Sequence, residues 1–508
     1  MTVGQFLPAA LAAHAPVLLV AIPLILSAPA AALKSGRTAW GIAFAGAVAA
    51  LLFAIELFLA TRGEGAVISY ALGAWQPPVG IEFRVDALNA ALLLLLTASA
   101  VLALIFALPS VEDEIDKDKR ALFYSAFLVV LSGLAGVATT GDAFNMFVFL
   151  EISSIPTYAL IAMGASHDRR ALTSSFNYLV MGTIGATFFV IGVGFLYMAT
   201  GTLNMADLAM RLPELQGDRV VEIGFAFILV GLGLKAALFP LHLWLPGAYA
   251  YAPSFVTTFL AATATKVAFY AIIRFSFDVF SVGNGFVLNS FTYVIAPLAI
   301  AGMIIASAQA LFQSDVRRLL AYSSVAQVGY MMLGLGIGTQ AGVSAGVLHL
   351  INHAMIKGAL FMALGAFAIS YGVRRIENFK GLGQALPVTS AAFTAGALSL
   401  IGVPFTVGFI SKFYLIQAAL QKGWTFAVVA ILIASVLAVF YCYRVLVNLW
   451  VAPRPDGASH AVQRVPMMIM APLVVLALMN LVFGVYAEPI VNMAEAAAAA
   501  AFNAGVAP

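Results

Sequence analysis

An all-α polytopic membrane fold is what this 508-residue sequence predicts, with about 14 transmembrane helices and two inverted five-helix repeats interrupted at helices 7 and 12. Three observations predict it. The chain is 63% hydrophobic and only 9% charged, against about 25% charged in an ordinary soluble domain, with a mean hydropathy of +1.02. Windows of about 20 apolar residues, the length a bilayer requires, recur from end to end. Two of those windows carry a proline break beside a lone lysine.

The windows run approximately over 15–33, 38–60, 87–108, 121–140, 143–165, 171–199, 222–245, 253–275, 290–313, 319–338, 341–370, 388–420, 424–450 and 466–487. The first lacks a charged n-region and a cleavage site leading to a soluble domain, so it reads as a span, not a removed signal. Connections are short, which leaves no room for an inserted soluble domain. The "VEDEIDKDKR" stretch at 111–120 reads as a solvated loop. In the seventh window, "GLGLKAALFPLHLWLPGAY" carries Pro240 and Pro246. In the twelfth, "LSLIGVPFTVGFISKFYLI" carries Gly402 and Pro404. A mid-span proline removes a backbone hydrogen bond and bends the helix, and interrupted helices at matching positions of two halves point to a transporter's site. The two windows are five apart, an odd number, so the repeats would be inverted. The division expected is an N-terminal three-helix segment with its loop (1–120), a first repeat (121–285), a second repeat (286–452), and a last helix with an Ala-rich tail (453–508). The tail "AEAAAAAAFNAGVAP" either extends the last helix or is disordered.

Charge placement orients the chain. Connections after odd-numbered spans hold 15 of the 25 basic residues: Lys34, Arg37, Lys117, Lys119, Arg120, Arg169, Arg170, Arg317, Arg318, Arg374, Arg375, Lys380, Arg444, Arg454 and Arg464. The opposite side holds six: Arg62, Arg84, Arg211, Arg219, Arg274 and Lys422. By the positive-inside rule this bias places both termini outside the cytoplasm. A net charge of +3 gives no nucleic-acid footprint, and the single Cys442 excludes a disulfide framework or an all-Cys cluster within the chain.

The remaining basic residues, Lys235, Lys266, Lys357 and Lys412, lie inside apolar windows with one acid, Glu151. A charge at that depth costs roughly 2.5–3.5 kcal/mol on insertion scales, and such residues mark ion paths or partners. Glu151, five residues before Pro156, is a proton-titrating carboxylate or the counter-ion of a buried lysine; a static ion pair is the plainer reading. Burial disfavours an ammonium and a nearby carboxylate restores it, so Lys235 with a mobile acid partner would be a proton switch. Lys266 lies among Thr257, Thr258, Thr263 and Thr265 and reads as a mid-membrane relay or as a lysine in a packing cluster. "HLINHAMIKGALF" sets His349, His353 and Lys357 at successive i+4 positions on one helix face. Histidine titrates near neutrality, so the stripe suits a proton wire. With no third ligand and no H-E-x-x-H, it does not read as a metal site. Lys412, beyond the Pro404 break, would serve an exit to the other side, or sit at the interface. His242, after Pro240, is a further relay candidate. Glu56 and Asp142 read as interfacial, and Asn177, Gln309, Gln327 and Asn352 as interhelical glue. Nothing reads as a catalytic residue, and no cofactor is expected.

These residues together resemble the antiporter-like superfamily: large membrane subunits of respiratory complex I, of membrane-bound hydrogenases and of Mrp-type multisubunit cation/proton antiporters. The resemblance covers about 85–485. "GAWQPPVGIEFRVDALNA" (73–90) is similar to the segment before the third span in the D-type family of Mrp subunits, and "RRLLAYSSVAQVGYMMLGLG" (317–336) is similar to a stretch shared across the superfamily. Members that continue past span 14 into a lateral arm fit poorly, and Lys412 argues against the complex I subunit with Glu in span 12. "HLINHAMIKGALF" is somewhat closer to A-type or hydrogenase-type sequences. The resemblance implies a mid-membrane hydrophilic axis. Glu151 and Lys235 would form a switching ion pair, Lys266, His353 and Lys357 a lateral relay, and Lys412 the link to a second half-channel. It also implies a bacterial inner-membrane subunit of a hetero-oligomeric complex that moves H⁺ and Na⁺ and is not an enzyme by itself. A redox-driven proton pump of the complex I or hydrogenase kind is the alternative.

Overall fold

A computed structural model describes residues 6–63, 65–281, 283–454 and 464–503. Among them, 12 helices are long and apolar enough to cross a membrane. The seventh and twelfth predicted windows are each two shorter helices: Arg219–Lys235 with Trp244–Tyr251, and Pro387–Ile401 with Val407–Gln421. Between the members of each pair lies non-helical backbone with one non-glycine residue at positive φ, Ala237 (φ 59°) and Phe405 (φ 68°). Such a conformation is uncommon outside glycine, Asn and Asp, and costs energy that the surroundings must supply.

Helix ends follow local chemistry. Asp86 and Asn89 form a reciprocal capping box at the start of Ala87–Glu114. Asp142, Asp315 and Thr339 cap Ala143–Ala162, Val316–Ile337 and Gln340–Tyr371. A small antiparallel hairpin, Ile68–Ala71 against Glu82–Val85, lies between the second and third spans.

The most buried helices are Ser254–Val279 and Val316–Ile337, each with 94% of its span covered, followed by Gln340–Tyr371. They carry Lys266, Gln327, His349, His353 and Lys357. The Arg219–Lys235 helix is drawn against Arg170–Thr200 through glycines: a Cβ on Gly192 would lie 2.6 Å from the Gly224 carbonyl oxygen. That close backbone approach is what small residues permit in a bilayer, and it fixes the helix that ends at Lys235.

Several expectations are corrected. The Ala87–Glu114 helix continues through Pro109, so the first half of the 111–120 stretch is helical. Its Glu114 turns inward and accepts the Ser254 amide at 2.7 Å. Arg274, read as part of a connection, is buried at the end of its span. Glu56, read as interfacial, is buried and accepts the Phe6 and Leu7 amides at 2.8 Å each. Asp142 is likewise buried, as a helix cap. Asn177 sits on an exposed face instead of between helices. The Ala-rich tail neither extends Met467–Val485 nor lacks structure through 503. It forms a separate helix, Glu488–Asn503, because Ile490, Val491, Ala494, Ala497, Ala498 and Ala501 share a face that packs inward. Residues 504–508 of that tail lie outside the described residues.

Candidate functional site

Lys235 is the last residue of its half-helix and is buried. Its Nζ donates to Ser154 Oγ at 2.7 Å and to Glu151 Oε1 at 3.2 Å. Both partners lie on the Ala143–Ala162 helix, one turn apart. Glu151 retains 22% of its side-chain exposure against 6% for Lys235, so the carboxylate is the more exposed member of the pair. Tyr158 and Tyr178 continue the polar line in edge contact, and Tyr178 stacks on Trp244. Trp244 in turn closes the break by donating to the Leu234 carbonyl at 3.0 Å.

Lys266 is fully buried. The Ser254–Val279 span is itself broken at Thr263 (φ −128°, ψ −56°). That break frees the Ala261 carbonyl, which accepts from Lys266 Nζ, with Thr265 Oγ1 at 3.3 Å. Sequence reading missed this third break, since no proline or glycine marks it. Of the threonines, Thr257, Thr258 and Thr263 bond backbone carbonyls, which is a packing role.

Beyond Lys266 the second group begins. Lys266 lies within electrostatic reach of His349, His353 and Lys357. Lys357 Nζ donates to the Leu320 carbonyl at 2.8 Å and to Ser323 Oγ. His349 is held at both nitrogens, by Ser411 Oγ and by Gln327 Oε1, each at 2.9 Å. His353 stacks parallel to His349 at 6.2 Å, and neither of its nitrogens has a hydrogen-bond partner in the described residues. Lys412, buried, donates to the carbonyls of Leu400 (3.1 Å) and Ile401 (2.7 Å) at the second break, and to Ser435 Oγ (3.2 Å). Its ammonium lies 4.8 Å above the Tyr330 ring, and Tyr330 also reaches Ser435. No carboxylate among the described residues bonds Lys266, Lys357 or Lys412.

His242 is buried against Phe239, and its ring nitrogens have no hydrogen-bond partner among the described residues. Pro240 and Pro404 lie inside the two breaks. Asn352 is glue as read, bonding the Val407 carbonyl beside the second break at 2.7 Å. Gln327 is more than glue, because it holds His349. Ser154, Ser323, Tyr330, Ser411 and Ser435 went unread. Their signal was weak, since buried serines in helices usually bond their own backbone. Outside the axis, Arg274 binds Asp86 through two nitrogens (2.6 and 3.0 Å) and Asp278 at 2.5 Å, all buried.

Such a row can hold protons but has no metal-ligand geometry: no cluster of three His, Cys, Asp or Glu suited to a metal occurs among the described residues. Residues 140–438 match the family described as NADH:quinone oxidoreductase/Mrp antiporter, TM. The chain is 39% identical to the N subunit of the NADH-quinone oxidoreductase of Desulforudis audaxviator over 94% of this chain and 97% of that one. It is 33% identical to the D subunit of the Na(+)/H(+) antiporter of Alkalihalophilus pseudofirmus over 87% and 88%. In structure it is similar to a chain of the Mrp complex from Dietzia sp. DQ12-45-1b, with a TM-score of 0.88, 26% identity, and coverage of 97% and 98%.

Proposed function

The chain belongs to the NADH:quinone oxidoreductase/Mrp antiporter transmembrane family, and from that membership we propose that it is the D-type, proton-translocating subunit of a multisubunit Na⁺/H⁺ antiporter. It works inside a hetero-oligomeric membrane complex, in a bacterial inner membrane with both termini on the non-cytoplasmic side. Its relatives include the D subunit of a Na(+)/H(+) antiporter, and a structural neighbour is part of an Mrp complex.

The observation that carries the mechanism is the Glu151–Lys235 pair beside one helix break, with Lys412 against the open carbonyls of the other. A proton reaching Glu151, the more exposed partner, removes the counter-charge of Lys235. The ammonium then sits uncompensated in a dry site, which is costly, and its proton is driven inward. Lys266 in the first repeat and Lys357 and Lys412 in the second bond no acid among the described residues, so a charge on one disfavours a charge on the next. Movement of one proton along the row therefore displaces another. His353, parallel to His349 and without a hydrogen-bond partner among the described residues, is the group free to pass a proton between Lys266, Lys357 and the fixed His349. Two inverted repeats, 121–285 and 286–452, would give each side of the membrane one half-channel.

A second reading rests on the 39%-identical quinone oxidoreductase relative. There the same row would be driven by redox chemistry in neighbouring subunits. Purification of the intact complex in mild detergent, with mass spectrometry of its subunits, tests the assignment. Small hydrophobic partners without iron–sulfur or flavin proteins support the antiporter. Co-purifying iron–sulfur, nickel or flavin proteins would replace it with a redox-driven pump and leave the proton row standing.

A further inference from the structure

On the face that carries the basic connections, an open cleft of about 510 Å³ lies between the start of the Gly36–Ala60 helix and the 112–124 region. Lys34, Arg37, Lys117 and Arg120 line it with one carboxylate, Glu112, and the Tyr124 hydroxyl. We propose that this cleft binds a phosphate group, presented in the membrane by an anionic phospholipid headgroup.

The contacts leave the charge unbalanced. Glu112 is taken by Arg37, with Nε at 2.7 Å and Nη2 at 3.4 Å. Arg120 makes its hydrogen bonds to neutral groups, the carbonyls of Ile115 at 2.9 Å and Glu112 at 2.6 Å, and shares the single charge of the Glu112 carboxylate with Arg37, so two guanidinium groups face one acid. The nearby Asp116 is occupied by Lys119 at 2.7 Å. Lys34 and Lys117 bond no carboxylate among the described residues. Tyr124 is only 1% exposed, and its hydroxyl has no hydrogen-bond partner among the described residues, although the side chain lines the cleft. A buried hydroxyl left without a partner costs free energy unless a ligand oxygen accepts from it. Ser35, Gly36 and Arg37 bring the N-terminal end of a 25-residue helix to the same cleft, a second donor suited to an anion. Gly36 is what lets Arg120 come so near: a Cβ there would lie 2.7 Å from the Arg120 Cβ.

The depth suits a headgroup. Trp40, one turn along from Arg37, donates to the Leu104 carbonyl and stacks on Phe44, as tryptophans do at the membrane–water boundary. Leu108, half-buried, lines the cleft beside these groups, an apolar flank for an acyl chain. Basic pockets between spanning helices on the cytoplasmic side are suited to acidic lipid headgroups.

The test uses the intact, delipidated complex and native mass spectrometry, with added cardiolipin, phosphatidylglycerol or phosphatidylethanolamine. The variants are the Lys34→Gln/Lys117→Gln pair and, separately, Tyr124→Phe. The expected result is retention of an anionic lipid by the wild type, reduced about tenfold in the lysine pair and severalfold in Tyr124→Phe. Tyr124→Phe removes no hydrogen bond among the described residues and so keeps the test decisive if the lysine pair assembles poorly. A parallel titration with inorganic phosphate separates the sources. Displacement of lipid by millimolar phosphate supports the phosphate site with the free ion as its ligand, and lack of displacement supports the lipid. Equal retention by wild type and both variants, or equal binding of phosphatidylethanolamine, overturns the proposal.

Discussion

Lys235 Nζ lies closer to Ser154 Oγ, at 2.7 Å, than to Glu151 Oε1, at 3.2 Å. The lysine therefore has a neutral anchor that remains when the carboxylate is protonated or turns away. A switch requires this arrangement, since an ammonium bonded only to its counter-ion would be locked to it. Lys235→Ala should abolish coupled ion movement, by at least about 100-fold, the lower end of what a positioned proton-transfer group contributes. Glu151→Gln should fail similarly, while Glu151→Asp retains part of the activity. Sodium-dependent collapse of a pH gradient in inverted vesicles, at matched assembly of the complex, is the measurement. Full antiport with Lys235→Ala would remove the pair from the mechanism.

The two stacked histidines should separate fold from transport. His349 has two partners and His353 none among the described residues. His349→Ala strands Gln327 Oε1 and leaves Ser411 only its 3.4 Å bond to the Gly408 carbonyl, and should cost about 1–3 kcal/mol of stability, the penalty for a buried group left unbonded. His353→Gln strands nothing, so its melting temperature should stay near wild type while its transport rate falls at least about tenfold. Thermal melts of the purified complex, set against vesicle transport, check both. A His353→Gln complex that transports normally would show that protons bypass this ring.

Positions of helices, both proline breaks and the charged residues inside spans were legible in the sequence, because each violates or satisfies a simple membrane rule. An ionised side chain in an apolar window stands out, and so does a proline. The partners of those charges were not legible. Lys412 bonds carbonyls freed at the break in its own window, while Lys357 bonds a serine, and His349 a glutamine and a serine, on other helices. The Thr263 break carries no proline or glycine. Arg274 looked like an ordinary connection residue because Asp86, 188 residues away, reaches it only when the chain folds, although Asp278 lies one turn on in the same span. The tail helix was hidden by composition: alanines give almost no periodic contrast, and only packing distinguishes its buried face.

The Arg274 cluster predicts a stability effect without a transport role. Its guanidinium is shared by Asp86 and Asp278 in a buried setting. Arg274→Gln leaves two carboxylates without their counter-charge and should cost about 3–5 kcal/mol, the usual penalty for breaking a buried pair from one side. Adding Asp86→Asn should restore part of it, because less uncompensated charge remains. Melting curves of the single and double variants test this. A double variant no more stable than Arg274→Gln would mean that the arginine acts through packing.

Asp168 should impose an acid limit on one region of the fold. Its carboxylate accepts from Arg170 Nη2 at 2.7 Å and Nε at 2.9 Å, and lies 3.5 Å from Arg374 Nη1. Arg374 also donates to the Ala250 carbonyl at 2.6 Å, and both arginines cover the Tyr251 ring. Asp168 thus ties a basic residue of the predicted second repeat to the end of the half-helix that follows Lys235. The hydrogen bonds from Arg170 hold the Asp168 carboxyl below the ordinary aspartate range. A carboxylate depressed in the folded state stabilises it at every pH above the unfolded value, about 3.9, and that contribution fades as pH falls through the folded value. Amide protection over 248–252 should therefore be flat between about pH 6 and 8 and decline only below about pH 4. Asp168→Asn should lower the same protection at neutral pH, because it removes the charge that orients both arginines. Hydrogen exchange read by mass spectrometry on the assembled complex gives the comparison, and unchanged protection in Asp168→Asn would mean that Asp315, 3.5 Å from Arg374 Nε, suffices to hold Arg374 on the Ala250 carbonyl.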